Sequence, residues 1–409
     1  MLHFRFSILF LAIAAALPGR VAVRSDFESG SIGRVAVISP DHLRCSVKGQ
    51  VDQNGRNRQA SWYYFELDGA AGHEITIDLT DLPGEYNYRP GNLAINSKTR
   101  PFLSYDRKTW TPLPDSAVTW DDKGPILRIR FAPERSPVWI AHVPPYTTKD
   151  LSRLLHEVAG NPAVKTAEIG RSVRGRPLYQ VTVTNAAVPE KNKKVVWLIA
   201  RQHAWESGTS WVVDGALASL AGPNASNARL LETVLFHFLP MCDPDGVAGG
   251  GVRFNVNGYD VNRNWDAVDP KLMPEIAAAH RTILAWLDGG HRIDLLMNLH
   301  NDNTDYLLGP LAAAGPAYER TIERIASLLR QHTVFEGKQP RDLPVGVIEH
   351  GRMDTSQKLF HDRKIAVVLL EQNVQTNTRL GRPLNSQDYR RFGAQLIEAL
   401  AAGVTVLPQ

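Results

Sequence analysis

A histidine and a glutamate lie three residues apart in the segment His203-Ala204-Trp205-Glu206. The segment follows an apolar run that ends near Ala200 and is typical of a buried parallel strand. Doubly wound sheets bind their ligands at the carboxyl ends of such strands. There both side chains could face one point and offer a nitrogen and an oxygen ligand to Zn²⁺. Taken alone, the pair is more often a helix-terminal carboxylate beside a surface histidine.

Two further polar side chains end later apolar runs. His300 follows Ile293–Leu299 and would complete a His, Glu, His set with one open position, the pattern of catalytic zinc. Glu371 follows the run Ile365–Leu370, where a carboxylate must be paired, solvated or functional. Beside a zinc ion, Glu371 could take a proton from water and pass it to a leaving amine. The alternative for His300 alone is a satisfied core histidine.

A cluster of hydrogen-bond donors lies between these segments. Asn262 and Arg263 are adjacent in Gly258–Trp265, and Arg253 lies upstream. Arginine is the natural bidentate partner of a carboxylate. An exopeptidase that recognises a free chain end needs such donors, although a structural loop held by ion pairs would have the same composition.

Two regions with different periodicity must position these residues. Residues 21–146 carry short strand-like segments separated by turn signals, which predict an antiparallel β-sandwich; the strongest are Trp62–Leu67, Glu74–Leu79, Ile126–Phe131 and Val138–Ala141. Pro144-Pro145 marks the predicted boundary. Residues 147–409 alternate strands with helices, which predicts an α/β domain with a mixed, mostly parallel sheet flanked by helices.

The bulk composition favours a soluble globular protein and excludes several other classes. The formal charge of +4 is small for 409 residues, and no dense Lys/Arg run indicates a nucleic-acid partner. Two cysteines, Cys45 and Cys242, are too few for a disulfide framework and are predicted to be buried thiols.

The N-terminus resembles a secretory signal. Residues 1–20 contain the apolar run Phe6–Leu17, whose length suits a signal peptide and is short for a membrane span. The expectation is a secreted or periplasmic protein with no membrane span after signal removal. A buried N-terminal strand or an uncleaved anchor is the alternative.

The segments together resemble the zinc carboxypeptidases of the carboxypeptidase A superfamily. Order and spacing agree from His203-x-x-Glu206 through Arg253, Asn262-Arg263 and His300 to Glu371. The closest match is the cytosolic-carboxypeptidase-like branch, in which the catalytic domain follows a β-sandwich. Further matching segments are Gly170–Leu178, Met241–Val247, Trp62–Phe65, Pro101–Tyr105 and Ala141–Tyr146.

The resemblance implies a role for each residue. One Zn²⁺ per chain would be bound by His203, Glu206 and His300. Glu371 would act as general base and acid, and Arg253 would stabilise the oxyanion. Asn262 and Arg263 would bind the terminal carboxylate of the substrate, so the expected partners are peptide or protein C-termini.

Three departures from the family pattern concern the active site. No tyrosine occurs between Tyr318 and Tyr389, where carboxypeptidase A-type enzymes carry a mobile tyrosine before the catalytic glutamate. Asn301 follows the second zinc histidine, where serine or glycine is commoner, and Ala204-Trp205 replaces the usual Pro-Gly. None removes a ligand, but the tyrosine's capping role is vacant or filled by another residue.

The segment before the catalytic glutamate normally lines the specificity pocket in this family. Here it contains Arg352, Ser356 and Lys358, and a basic residue there could select C-terminal Glu or Asp. The alternative is that the two basic side chains are solvated charges on a helix face.

Two other functions remain open. Distant relatives use the same zinc set to deacylate N-acyl amino acids, although a sandwich placed before the catalytic domain argues against this. A non-catalytic protein that binds peptides or cell-wall material is the third possibility. Such a copy would usually have lost a zinc ligand or the glutamate, and all four are present.

Overall fold

The computed structural model describes residues 21–405, apart from Val347 and Ala366. The predicted signal segment, residues 1–20, lies outside the described residues and stays a prediction. Across the described part, no helix combines the length and the hydropathy needed to cross a membrane. Cys45 and Cys242 are both free and buried, as predicted.

The first part of the described chain is a β-sandwich. Its strands are β1 Ala22–Arg24, β2 Val35–Ser39, β3 His42–Ser46, β4 Tyr64–Asp68, β5 Ile75–Thr80, β6 Gly84–Tyr86, β7 Arg89–Asn92, β8 Phe102–Ser104, β9 Thr111–Pro112, β10 Val118–Asp121, β11 Ile126–Phe131 and β12 Val138–Ala141. One sheet has the order β1-β4-β12-β8-β9 and the other β10-β11-β5-β3-β2, while β6 and β7 form a separate hairpin. We call this part the sandwich.

The predicted alternation of apolar and polar residues decides which side chains enter the sandwich core. In β11, Leu127 and Ile129 are fully buried, whereas Arg128 and Arg130 between and beyond them are exposed. Successive side chains of a strand point to opposite faces of the sheet. One face of β11 is therefore buried in the core, and the other is exposed to solvent.

One strand pair of the sandwich departs from the predicted antiparallel arrangement. Strands β3 and β5 are parallel, with Leu43 opposite Ile77. Between them the chain crosses to the other sheet and forms β4, so it re-enters beside β3 from the same end. A parallel pair needs such a crossover, which local alternation cannot reveal.

The second part of the chain is the predicted α/β domain. Its strands are β13 Val164–Arg171, β14 Pro177–Val183, β15 Lys194–Ile199, β16 Val234–Leu239, β17 Leu295–Asp302, β18 Tyr306–Gly309, β19 Arg341–Asp342 and β20 Val367–Asn373. Its helices are α1 Thr148–Val158, α2 Ser207–Ala221, α3 Ala225–Thr233, α4 Pro244–Ala248, α5 Pro274–Asp288, α6 Leu311–Ala314, α7 Pro316–His332, α8 Thr355–Arg363 and α9 Ser386–Val404.

These strands form one eight-stranded mixed sheet in the order β13-β14-β16-β15-β17-β20-β18-β19. The four central strands, β16, β15, β17 and β20, are mutually parallel and lie between two apolar helix layers. The chain passes from β15 to β16 on one side and then to β17 on the other. The carboxyl ends of β15 and β17 therefore flank a topological switch point, where such sheets bind ligands.

Close packing holds α2, the helix that follows the His203–Glu206 segment, in place. A Cβ added to Gly215 would lie 2.0 Å from the carbonyl oxygen of Arg390, and one added to Gly393 would lie 1.9 Å from that of Val212. Only glycine permits this approach of α2 and α9, so the N-terminus of α2 is rigidly seated over the sheet.

The strand ends differ from those predicted. Strands β17 and β20 extend to Asp302 and Asn373, so His300 and Glu371 lie within the strands and not after them. The two residues are direct neighbours in the β17–β20 pairing. The outer strands β13, β14, β18 and β19, which flank the four central ones, were not predicted, because they have no continuous apolar run.

Candidate metal centre and active site

A strained turn after β15 delivers His203 to the edge of the sheet. Arg201 adopts a positive φ of 56°, and its buried guanidinium donates from Nε to the carbonyl oxygen of Ala204 at 2.8 Å. Nη1 of the same side chain donates to Oγ of Ser210 at 3.1 Å, which ties the turn to α2. Glu206 is the N-cap residue immediately before this helix.

The three predicted ligands converge. Oε1 of Glu206 lies 2.8 Å from Nδ1 of His203, and Oε2 lies 2.8 Å from Nδ1 of His300. One ligand atom from each residue lies within 4.8 Å of the others, and all three side chains are buried. Burial lowers the pKa of His300, which favours the neutral imidazole that metals bind. Two imidazole nitrogens and a carboxylate that border a cavity fit a catalytic zinc ion.

Asp260 lies behind this set and was not singled out from the sequence. Its Oδ1 is 3.1 Å from Nε2 of His203, and its Oδ2 accepts from Nε of Arg253 at 2.6 Å. Although burial opposes its ionisation, Arg253 and His203 hold the pKa of Asp260 well below its usual range. A carboxylate on the outer nitrogen of a metal-binding histidine orients that ring. The signal was available, because Asp260 lies two residues before Asn262.

The two predicted carboxylate-binding residues have different surroundings. Nδ2 of Asn262 lies 3.2 Å from Nε2 of His300, while its Oδ1 accepts from the backbone nitrogen of Thr355 at 3.2 Å. Asn262 is thus buried against a histidine that is predicted to bind the metal. Arg263 is partly exposed and lines the cavity, with Nη2 3.4 Å from the hydroxyl of Tyr86.

Glu371 lies beside His300 in the adjacent parallel strand and borders the same cavity. Its Oε2 is buried and has no hydrogen-bond partner in the described part of the chain. Burial, followed by the negative charges of Glu206 and Asp302, raises the pKa of Glu371 well above its usual range. A carboxylate oxygen that borders the cavity without a partner can accept a proton, as a general base requires.

The cavity that joins these residues has a volume of about 580 Å³. Its wall includes all seven predicted site residues, and of the specificity candidates it includes Arg352. Ser356 is buried elsewhere, and the ammonium of Lys358 pairs with Asp362 at 2.8 Å on α8. The structure therefore brings one of the two predicted basic residues into the cleft.

The sandwich also borders this cavity, through Gln59, Ser61, Tyr86, Asn87, Asn92 and Ala94. It further supports the Arg253 loop, because Oε1 of Gln50 accepts from the backbone nitrogens of Val252, Arg253 and Phe254 at 2.9, 2.7 and 2.9 Å. Nε2 of Gln50 returns a bond to the carbonyl oxygen of Phe254 at 2.6 Å. One side chain from the sandwich thus holds the backbone on which Arg253 is mounted.

The departure at Ala204-Trp205 has a structural reason. Trp205 is buried, and its ring stacks on that of His142 in the sandwich, with centroids 5.7 Å apart and planes 10° apart. Its backbone nitrogen donates to the carbonyl oxygen of Val252 at 3.1 Å. The tryptophan therefore joins the His203–Glu206 segment to the sandwich and to the Arg253 loop.

Comparison with family models identifies both parts of the chain. Residues 152–308 match the model described as zinc carboxypeptidase, and residues 23–143 match that of the cytosolic carboxypeptidase N-terminal domain. The two matches follow each other in the order that the resemblance predicted.

Relatives and solved structures agree with these matches. Human cytosolic carboxypeptidase 2 is 36% identical over 61% of this chain and 29% of its own length, and human cytosolic carboxypeptidase 1 is 27% identical over 66% and 24%. The chain thus spans less than a third of these two proteins. A metallo-carboxypeptidase from Burkholderia cenocepacia superposes with a TM-score of 0.81 at 27% identity, covering 95% of this chain and 99% of that one. Taken with the two family models, this places the chain in the zinc carboxypeptidase family, in the branch with a cytosolic-carboxypeptidase-type N-terminal domain.

Proposed function

We propose that this protein is a metallocarboxypeptidase that hydrolyses the C-terminal peptide bond of peptides or proteins. The observation that carries the proposal is the convergence of His203, Glu206 and His300 with Glu371 on one cavity, whose wall also includes Arg253 and Arg263. Such a reaction requires metal ligands, a proton acceptor and cationic groups that bind the substrate, and these residues are of those types.

The metal set and the glutamate divide the chemistry between them. His203, Glu206 and His300 would hold one Zn²⁺, which when bound polarises a carbonyl and lowers the pKa of water. Glu371 would accept a proton from the attacking water and return it to the nitrogen of the leaving residue. The position of Glu371 at the cavity wall supports this role, because its Oε2 has no hydrogen-bond partner among the described residues and is free to accept a proton.

The arginines would recognise charge on the substrate. Arg253 is buried at the cavity wall, and its Nε is fixed by a hydrogen bond to Asp260. Its guanidinium is therefore already oriented before a substrate binds. A preorganised donor of this kind stabilises charge that develops on a carbonyl oxygen. Arg263 is more exposed and would take the terminal carboxylate, which a guanidinium binds in two-point geometry.

Peptides with and without a free C-terminus test this function. The purified zinc-loaded protein is incubated with matched free and amidated peptides, with and without a chelator, and mass loss is followed. Removal of single C-terminal residues from free peptides, abolished by the chelator, is expected. No loss from any peptide, with zinc shown to be bound, would contradict the proposal and favour N-acyl amino acid deacylation or simple binding.

Asp260→Asn is expected to weaken zinc binding by roughly 10- to 100-fold, because the outer nitrogen of His203 loses its carboxylate partner. The measurement is competition with a chromophoric chelator at fixed pH. Asp362→Asn, which changes a carboxylate on the surface of α8, is the matched control and leaves zinc affinity unchanged. Unchanged zinc affinity in Asp260→Asn would contradict the orienting role.

We propose a preference for acidic C-terminal residues, which rests on Arg352 alone. Arg352→Gln is expected to lower kcat/KM for a peptide ending in Glu by roughly 10-fold relative to one ending in Leu, because one ion pair with the substrate in the cleft is lost. Lys358→Gln, in the same segment but paired with Asp362, is the control and leaves that ratio unchanged. Faster release of Phe or Leu than of Glu by the unmodified protein would exclude the preference.

A further inference from the structure

The hairpin of β6 and β7 extends from the sandwich to the cavity. Its two strands are joined by Asn87 and Tyr88, which have positive φ values of 49° and 64°. Two successive residues in this region make the tight hairpin turn whose twist matches the strands. Tyrosine is unfavourable at such a position, so the surrounding contacts must hold the turn.

The base of the hairpin is fixed to the sandwich. The backbone nitrogen of Glu85 donates to the carbonyl oxygen of Arg58 at 2.7 Å, and its carboxylate accepts from the backbone nitrogen of Asn57 at 2.8 Å. A Cβ on Gly84 would lie 2.4 Å from the same carbonyl oxygen, so the strand can approach only with glycine there. These contacts therefore fix the position of Tyr86, which follows Glu85 and lines the cavity.

The hairpin contacts the two arginines that are proposed to bind the substrate. The hydroxyl of Tyr86 lies 3.4 Å from Nη2 of Arg263, and its ring centroid lies 5.4 Å from the guanidinium carbon of Arg253. Next to it, Arg352 donates to the side-chain oxygen of Asn87. Tyr86 is nevertheless 44% exposed and lines the cavity, so a bound peptide can reach it.

We infer that Tyr86, a residue of the sandwich, is a substrate-binding residue that donates a hydrogen bond to the C-terminal carboxylate of the peptide. This inference rests on the proposed function. The hydroxyl accepts from Arg263, so its own hydrogen is free to point into the cavity. A carboxylate bound to Arg263 has further lone pairs within reach of that hydrogen, and a phenol next to a guanidinium is a good donor to an anion.

Tyr306 is the other tyrosine among the described residues that line the cavity, and its surroundings differ. Its hydroxyl lies 3.4 Å from Oδ2 of Asp302, an acceptor that engages its hydrogen. Its ring lies under the guanidinium of Arg341 at 4.1 Å. The hydroxyl hydrogen of Tyr306 is thus engaged and its cationic neighbour is Arg341, whereas Tyr86 has a free hydroxyl hydrogen and contacts Arg263 and Arg253.

Tyr86→Phe tests the inference with the smallest possible change. Steady-state kinetics of the zinc-loaded full chain are measured on a C-terminally free peptide and its amide. We expect KM for the free peptide to rise about 10-fold with kcat within about 2-fold, because one hydrogen bond to a charged group is lost in both ground state and transition state. The preference for the free peptide over the amide falls by the same factor.

Two further variants separate binding from support of the fold. Tyr88→Phe removes the neighbouring hydroxyl of the same hairpin and is expected to leave KM unchanged. Tyr86→Ala, which also removes the ring over Arg253, is expected to raise KM beyond the value of Tyr86→Phe. Thermal unfolding of each variant checks that the hairpin change has not loosened the fold.

The outcomes distinguish this inference from the proposed function. Wild-type KM in Tyr86→Phe overturns the inference, as does a fall in kcat with KM unchanged. An equal rise of KM in Tyr88→Phe also overturns it, because the hairpin would then act only as support. Failure of the unmodified protein to release any C-terminal residue overturns the proposed function and the inference together.

Discussion

Glu371→Gln is expected to reduce kcat by about 10³-fold while the zinc content of the protein stays unchanged. Glutamine keeps the shape of the side chain but cannot accept a proton, and a positioned general base contributes typically 10²- to 10⁴-fold. A 10³-fold loss corresponds to about 4 kcal/mol of activation free energy. Single-turnover kinetics together with metal analysis of the same sample provide the measurement.

A second carboxylate in the cavity makes this a discriminating test. Asp302 lies two residues beyond His300 in β17, lines the cavity and contributes to the raised pKa of Glu371. If Asp302→Asn loses more activity than Glu371→Gln, the base is Asp302 and the assignment of Glu371 is wrong. If both variants lose zinc as well, the loss reflects the metal site and not proton transfer.

His300→Ala is expected to abolish stable zinc binding and to lower kcat/KM by at least roughly 10³-fold. Two ligands remain, whereas catalytic zinc sites in proteins use three, so both the ion and its chemistry are lost. Zinc per chain is measured after dialysis against a weak chelator, and activity is measured on the same material. Full activity with bound zinc in this variant would exclude His300 as a ligand.

A matched histidine variant controls for the substitution itself. His361 is an exposed histidine on α8, and His361→Ala is expected to leave zinc content and kcat/KM unchanged. Zinc added to the chelated wild-type protein should also raise its unfolding temperature, because an ion that binds only the folded state stabilises it. His300→Ala should lose that increase and His361→Ala should keep it.

The sandwich has a larger part in the site than its sequence suggests. Gln50 holds the Arg253 loop, Trp205 packs on His142, and Tyr86 reaches the cavity. These contacts come from three separate segments, so the relative placement of the two parts is over-determined. The described residues of the sandwich include no catalytic cluster of their own. Its contribution is instead to hold residues of the active site in position.

The convergence of the three proposed metal ligands could be predicted because its signals are local. His203, Glu206 and His300 each follow an apolar run, and the ends of parallel strands meet at one edge of a sheet. Glu371 was predicted for the same reason, and its strand pairs directly with that of His300. Strand ends were less accurate, because polar residues continue a ladder whenever a neighbouring strand offers partners.

The sequence itself thus determined the types of the proposed ligands, their order and the sheet that brings them together. Tertiary structure alone decided that Arg352 enters the cleft whereas Lys358 pairs on α8. It also decided that Tyr86 meets Arg263 across 177 residues of chain. Ligand chemistry and strand periodicity are properties of short segments. Which distant side chain reaches a cavity depends on how two cores pack against each other, and no local pattern records that packing.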